Sequence, residues 1–293
     1  MTLRRKEALA AWLFLSPSFV GFVVFVFGAV LVSLGLSFFE WDMLTKPNFV
    51  GLKNFTKLIF EDRTFHLVFR NTLWFVLGTV PTRVLLGLAF ALVLVRNIPG
   101  RTFFRAAIFL PVIIPTVAAA MVWRWIFNAD FGLLNDFLYQ IGVSNLPRWL
   151  SQPKWALTAI VILSVWKDVG FSTVLFMAGL QGIPSTVYEA AKLDGANSWR
   201  IFLHITLPLL SPTTFFVIVI NVISSFQVFD QAYVLTGGGP GNATNTIVYY
   251  IYNNAFQWFR MGYAAAVAWL LFAVIFIATF IQFKYQKRWV YYE

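Results

Sequence analysis

Cysteine is absent from the 293 residues, so disulfides, thiol chemistry and cysteine metal sites are excluded. Histidine is nearly absent: the two, His66 and His204, are far apart and have no metal-ligand partner at helical spacing. We read both as ordinary polar residues and expect no metal site. No G-x-x-x-x-G-K-[S/T] loop occurs, so the chain lacks the cradle needed to hydrolyse ATP by itself. Paired carboxylates and a nucleophile–base set are also missing from the loops, which speaks against a membrane enzyme. Charge is scarce. Asp, Glu, Lys and Arg make up 12%, against about 25% in soluble domains.

What is abundant is apolar surface. The chain is 59% hydrophobic and 19% aromatic. A core alone does not need that much, whereas a protein with two lipid–water boundaries does. Its net charge is +10. The basic residues lie in short clusters between apolar runs, which fits membrane topology and not nucleic-acid binding. Six apolar runs are long enough to cross a bilayer as helices, at about 12–39, 71–95, 106–127, 155–180, 205–230 and 261–283. The second carries Arg83, and the fourth carries Lys167 and Asp168. The expected fold is an all-α integral membrane protein, with 1–293 as one transmembrane domain. The first run is too long for a signal peptide and is expected to be retained.

Lys and Arg set the orientation. Arg4-Arg5-Lys6, then Arg96, Arg101 and Arg105, then Lys192 and Arg200, then Lys284, Lys287 and Arg288 crowd the short segments of one side. That side, with both termini and the loop 181–204, is expected in the cytoplasm. The opposite side has longer loops, including T-G-G-G-P-G-N-A-T-N at 236–245, which cannot remain helical and must turn or re-enter.

The loop 181–204 has the most local detail. Pro184 followed by Ser185, as cap, predicts a short helix over 185–193. Asp194-Gly195 ends it. A second short helix is expected over 197–205, with Pro208 pushing Leu207 out of α geometry. Polar residues also recur within the spans. Asn221, Ser224, Ser225 and Val228 share a face by three-and-four spacing. Arg83 and Arg124 read as structural residues snorkelling to an interface.

The pattern E-A-A-x-x-D-G-A (Glu189, Ala190, Ala191, Asp194, Gly195 and Ala196 in place), followed by Ile205-Thr206-Leu207-Pro208, resembles the signature of permease subunits of binding-protein-dependent ABC importers. Leu235–Pro240 with Ala243-Thr244, Gly51–Phe55, and Phe109-Leu110-Pro111 through Trp123-Arg124-Trp125 resemble the carbohydrate branch. The likeness is greatest to the first-type permease of maltose, glycerol-phosphate and oligosaccharide importers, without the extra external domain of the maltose subunit.

The resemblance implies a type I importer permease in a prokaryotic plasma membrane. Its implied partners are a second permease, two ATP-binding subunits and an extracytoplasmic solute-binding protein. ATP and Mg would sit on the ATPase and no cofactor on this chain. Glu189, Ala190, Ala191, Asp194 and Gly195 would couple to the ATPase. Aligned on the same motif, Ser164, Lys167, Asp168, Phe171, Asn221 and Ser225, with Ser224 on the same face as the last two, would line a sugar path. The rival readings are an ABC permease for another small polar solute, or an ion-coupled transporter using Asp168 and Asp230.

Overall fold

The computed structural model describes residues 3–291, and of these all side chains except those of residues 3, 5, 6, 8 and 9. The side chains of Arg5 and Lys6, part of the basic N-terminal cluster, therefore lie outside the described ones. The chain divides into two compact units, residues 1–62 with 251–270, and residues 63–250 with 271–293.

In the first unit, helix α1 runs from Leu3–Gly21 through a π-helical stretch, Phe22–Gly28, into Ala29–Leu36. None of its apolar stretch over Ala10–Leu36 is buried, as expected of a helix that meets lipid. Two short antiparallel strands follow, β1 (Phe39–Glu40) and β2 (Asn48–Phe49), in register Phe39↔Phe49. Helix α2 (Lys53–Phe60) packs beneath them. The buried amide of Asn54 ties it there by donating to the carbonyls of Ser37 and Phe39, each at 2.9 Å.

The second unit holds α3 (Arg63–Leu94), α4 (Arg101–Ile113), α5 (Thr116–Ile126), α6 (Leu133–Gln140), α7 (Pro153–Gly182), α8 (Ser185–Leu193), α9 (Ser198–Leu209), α10 (Ser211–Phe226) and α11 (Asp230–Thr236). Helix α12 (Ile247–Tyr252) begins here and runs into a π turn. Helix α13 (Met261–Gln286) ends here. Its core is α3 against α7, with α10 and α4 packed alongside. Close approach of α7 to α4 depends on Gly170: a Cβ there would overlap the carbonyl oxygen of Ile108. Gly170→Val should therefore part the two helices and cut the yield of folded protein in membranes, while Val169→Ala, one residue away, should not.

Among the described residues four helices are long and apolar enough to cross a membrane, and up to six spans result if each of two bent pairs is one span. The third run bends by 103° between α4 and α5. Ile114 is extended there (φ −66°, ψ 131°) because it precedes Pro115. The fifth bends by 63° between α9 and α10.

Two local expectations fail. Ser185 does not cap α8: Pro184 occupies the cap position and no side chain bonds to it, so the helix starts one residue earlier than a Ser185 cap would allow. Pro208 does not dislodge Leu207, which stays helical at φ −65°, ψ −44°. A π turn over Phe202–Thr206 explains this. It resets the bonding pattern just before the proline, which then sits in the first turn of a renewed helix, where its missing N–H costs little.

Candidate functional site

The sequence-predicted residues separate into two places. The first is the loop between α7 and α10. Helix α8 closes in a Schellman turn: Gly195 N–H donates to Lys192 O at 3.1 Å, and Ala196 N–H to Ala191 O at 2.9 Å. Gly195 holds φ +76°, a region open to glycine but costly for most L residues. Asn197 then caps α9, its Oδ1 accepting from Arg200 N–H at 2.9 Å. The result is two helices joined by a rigid corner. Glu189, Ala190, Asp194 and Gly195 are exposed, and Ala191 is buried. Leu193 (90% exposed) and Trp199 (66%) stand out from this corner into open space. Small residues beside exposed apolar ones form a surface that another body can approach closely.

The second place is the middle of α3, α7 and α10. Arg83, almost fully buried on α3, donates to Asp168 Oδ2 on α7 at 2.6 Å. The same nitrogen also donates to the carbonyl of Ser164 at 3.0 Å. Its other terminal nitrogen reaches Ser225 Oγ on α10 at 3.4 Å, and Ser225 in turn bonds the hydroxyl of Thr79 at 3.0 Å. One guanidinium thus ties three helices. Snorkelling is overturned for Arg83. It lies roughly 16 Å from the end of α3 at 1.5 Å per residue, beyond the reach of its side chain. A charge so placed needs an internal partner, and Asp168 supplies it.

Above this network opens a cavity of about 290 Å³. Arg83, Asp168, Ser224, Gln227, Asp230 and Gln231 give it hydrogen-bonding walls, and Phe75 and Phe229 give it ring faces. Asp168 is the exposed member of the ion pair, at 35% against 4% for Arg83. Its carboxylate is therefore aimed by a buried cation while still lining the cavity.

The other candidates lie elsewhere. Ser164 and Ser225 are buried among the partners of Arg83, and Ser164 Oγ has no hydrogen bond among the described residues. Lys167 turns away and donates to the carbonyls of Ile114 (3.0 Å) and Val112 (3.4 Å), groups freed by the bend between α4 and α5. Asn221 donates to Ser172 Oγ at 3.0 Å and Val217 O at 2.9 Å, bracing α10 on α7. Phe171 is exposed outside the cavity lining. The path residues read from the sequence omit Phe75, Arg83, Gln227, Phe229, Asp230 and Gln231, all of which line the cavity. For Arg83 the signal was present, a lone charge deep in an apolar run.

The turn at 237–246 is braced. Asn71 Nδ2 donates to Asn242 O at 2.8 Å and Asn245 O at 3.1 Å, and Thr72 Oγ1 accepts from Ile247 N–H at 3.1 Å. Thr244, Asn245 and Thr246 are buried. This glycine-rich turn is a fixed wall next to α3.

Comparison with known proteins places this architecture. The family described as "Binding-protein-dependent transport system inner membrane component" matches residues 83–291. The trehalose/maltose transport system permease protein MalF of Thermococcus litoralis is 35% identical over 96% of this chain and 95% of its own length. The lactose transport system permease protein LacF of Rhizobium radiobacter is 34% identical over 96% of this chain and 95% of its own. A chain of a bacterial ABC transporter involved in the import of the acidic polysaccharide alginate superposes with a TM-score of 0.81 at 25% identity, covering 98% of this chain and 97% of that one. This chain is therefore a multi-pass inner-membrane permease that belongs to the family of binding-protein-dependent transport system inner membrane components.

Proposed function

We propose that the chain is the membrane-spanning subunit of an ATP-driven carbohydrate importer. The observation that carries this reading is the end-to-end likeness to permeases named for trehalose/maltose and lactose transport. In this reading a second permease completes the path, an extracytoplasmic binding protein delivers the solute, and two ATP-binding subunits dock at residues 189–195. ATP and Mg belong to those subunits. The termini and the loop 181–204 then lie in the cytoplasm, which the Lys and Arg asymmetry favours. The cavity beside Asp168 suits a sugar. Carboxylate and amide groups can take hydroxyls, and Phe75 and Phe229 offer apolar faces to the ring.

The test is ATP hydrolysis by the reconstituted complex, read with binding proteins loaded by different solutes. A sugar-loaded binding protein should stimulate hydrolysis and drive uptake into vesicles. Stimulation only by amino acids or other non-carbohydrate solutes would leave the permease assignment and remove the carbohydrate one. Uptake driven by an ion gradient without ATP would remove both.

A further inference from the structure

A cavity of about 550 Å³ lies wholly within the first unit, far in sequence from Asp168. Residues 40–62 and 258–263 wall it. Its height in the bilayer follows from the chain. Leu36 ends one apolar span and Met261 begins another, and Met261 N–H donates to Trp41 O at 3.0 Å, so the two ends meet at one side. The cavity therefore sits where hydrocarbon gives way to headgroups, on the extracytoplasmic side in the topology proposed above.

Its walls carry four cations, Lys46, Lys53, Lys57 and Arg260, against three carboxylates, Glu40, Asp42 and Asp62. Of its carboxylates, Asp42 accepts from the N–H groups of Thr45 (2.8 Å) and Leu44 (3.0 Å) and from the Thr45 hydroxyl (2.8 Å). These bonds, that of the Thr45 N–H first, hold its carboxyl below the usual range. Asp62 accepts the hydroxyl of Tyr263. The cations are less engaged. Lys46, Lys53 and Arg260 have no carboxylate partner among the described residues, and Lys57 lies 5.9 Å above the ring of Tyr263. The walls thus offer an oxyanion more unengaged cations than carboxylates, with the exposed Glu40 as the acid that a bound anion must avoid.

The rim is apolar. Phe259 is more than half exposed and Trp258 nearly so, both in the lining, and Phe49, Leu52 and Phe256, within two residues of lining positions in the chain, are also more than half exposed. Phe259 is held at φ +53°, an uncommon and strained state for a bulky residue, between Arg260 N–H on Asn254 O at 2.7 Å and the bond from Met261 to Trp41. A free anion in water has no use for such a rim. A lipid does: Lys and Arg at a span end can make charge-assisted hydrogen bonds to a headgroup phosphate, and the exposed flank of α1 offers a place for its chains.

We propose that this cavity is a headgroup site for an anionic phospholipid, its phosphate taken by Lys46, Lys53, Lys57 and Arg260 and its chains lying on the apolar rim.

The assembled transporter should be placed in nanodiscs of equal phosphatidylglycerol and phosphatidylcholine, then stripped by mild detergent and weighed by native mass spectrometry. Wild type should retain phosphatidylglycerol over phosphatidylcholine. The triple variant Lys46→Gln/Lys53→Gln/Lys57→Gln should lose that preference by roughly a hundredfold, from a contribution of about fivefold for each of the three basic residues. These side chains are exposed, so assembly should persist. Lys154→Gln, a basic residue outside the cavity, should change nothing. Equal retention of the two lipids by wild type would overturn the proposal without any variant, as would an unchanged triple variant. Displacement of phosphatidylglycerol by millimolar inorganic phosphate alone would make it a free-anion site and overturn the lipid reading.

Discussion

Asp168→Ala will destabilise the protein more than Arg83→Met, although arginine is the larger side chain. The reason is the asymmetry of the pair: Arg83 is 4% exposed and Asp168 35%. Removing the aspartate strands a guanidinium among Ser164 O, Ser225 Oγ and apolar neighbours, with its Nε already lacking a partner among the described residues. Removing the partner of a buried charge costs about 3–5 kcal/mol. Removing the arginine leaves a carboxylate that the 290 Å³ cavity can hydrate, which costs only about 1–3 kcal/mol. The double variant should recover part of the loss, because the stranded charge is gone. Thermal midpoints of the three variants in detergent, followed by tryptophan fluorescence, check the order. Equal midpoints for the two single variants would mean that the pair is solvated from both ends.

Arg83→Met should have a second consequence. Asp168 keeps its place on α7 but loses the cation that orients its carboxylate. Uptake should then fall mainly through weaker solute affinity, a rise in KM, with maximal ATP hydrolysis retained.

How far the chain can be read from its letters depends on the range of the interaction. Helix α8 is legible because its limits are local: Pro184 before it, Asp194-Gly195 after it, and the Schellman bonds that glycine permits. The six apolar runs are legible because crossing hydrocarbon needs length and composition alone. The bend between α4 and α5 is written in Pro115, but its angle depends on Lys167, 53 residues from Ile114, whose ammonium takes the freed carbonyls. That pairing has no linear signature. The same holds for Arg83 and Asp168, 85 residues apart. Polarity within a span shows that a side chain needs a partner, and packing decides which. This is why Lys167 and Asn221, chosen as path residues for their polarity, brace helices here, while Asp168 and Ser224 reach the cavity.

The corner at Gly195 allows a strain effect and a contact effect to be separated. A Cβ built on Gly195 meets nothing within 4 Å, so within this chain only the backbone angle of +76° opposes substitution. Asn tolerates that region far better than most residues, whereas a β-branched residue pays about 1–2 kcal/mol or more. If the corner merely joined two helices, Gly195→Asn would be silent and Gly195→Val mildly destabilising. If an ATPase subunit packs against the small residues 190–196, both should uncouple uptake, because both add bulk to the docking face. We expect the second outcome. Gly195→Asn should insert and fold with an unchanged thermal midpoint, yet lower binding-protein-stimulated uptake by about tenfold or more, equivalent to at least about 1.4 kcal/mol of lost coupling. Glu189→Lys should do the same by charge, since Glu189 is exposed and its loss leaves no buried group unpaired. Uptake and ATP hydrolysis measured on one preparation decide it: normal uptake by Gly195→Asn would exclude close docking at this corner, whatever Gly195→Val does.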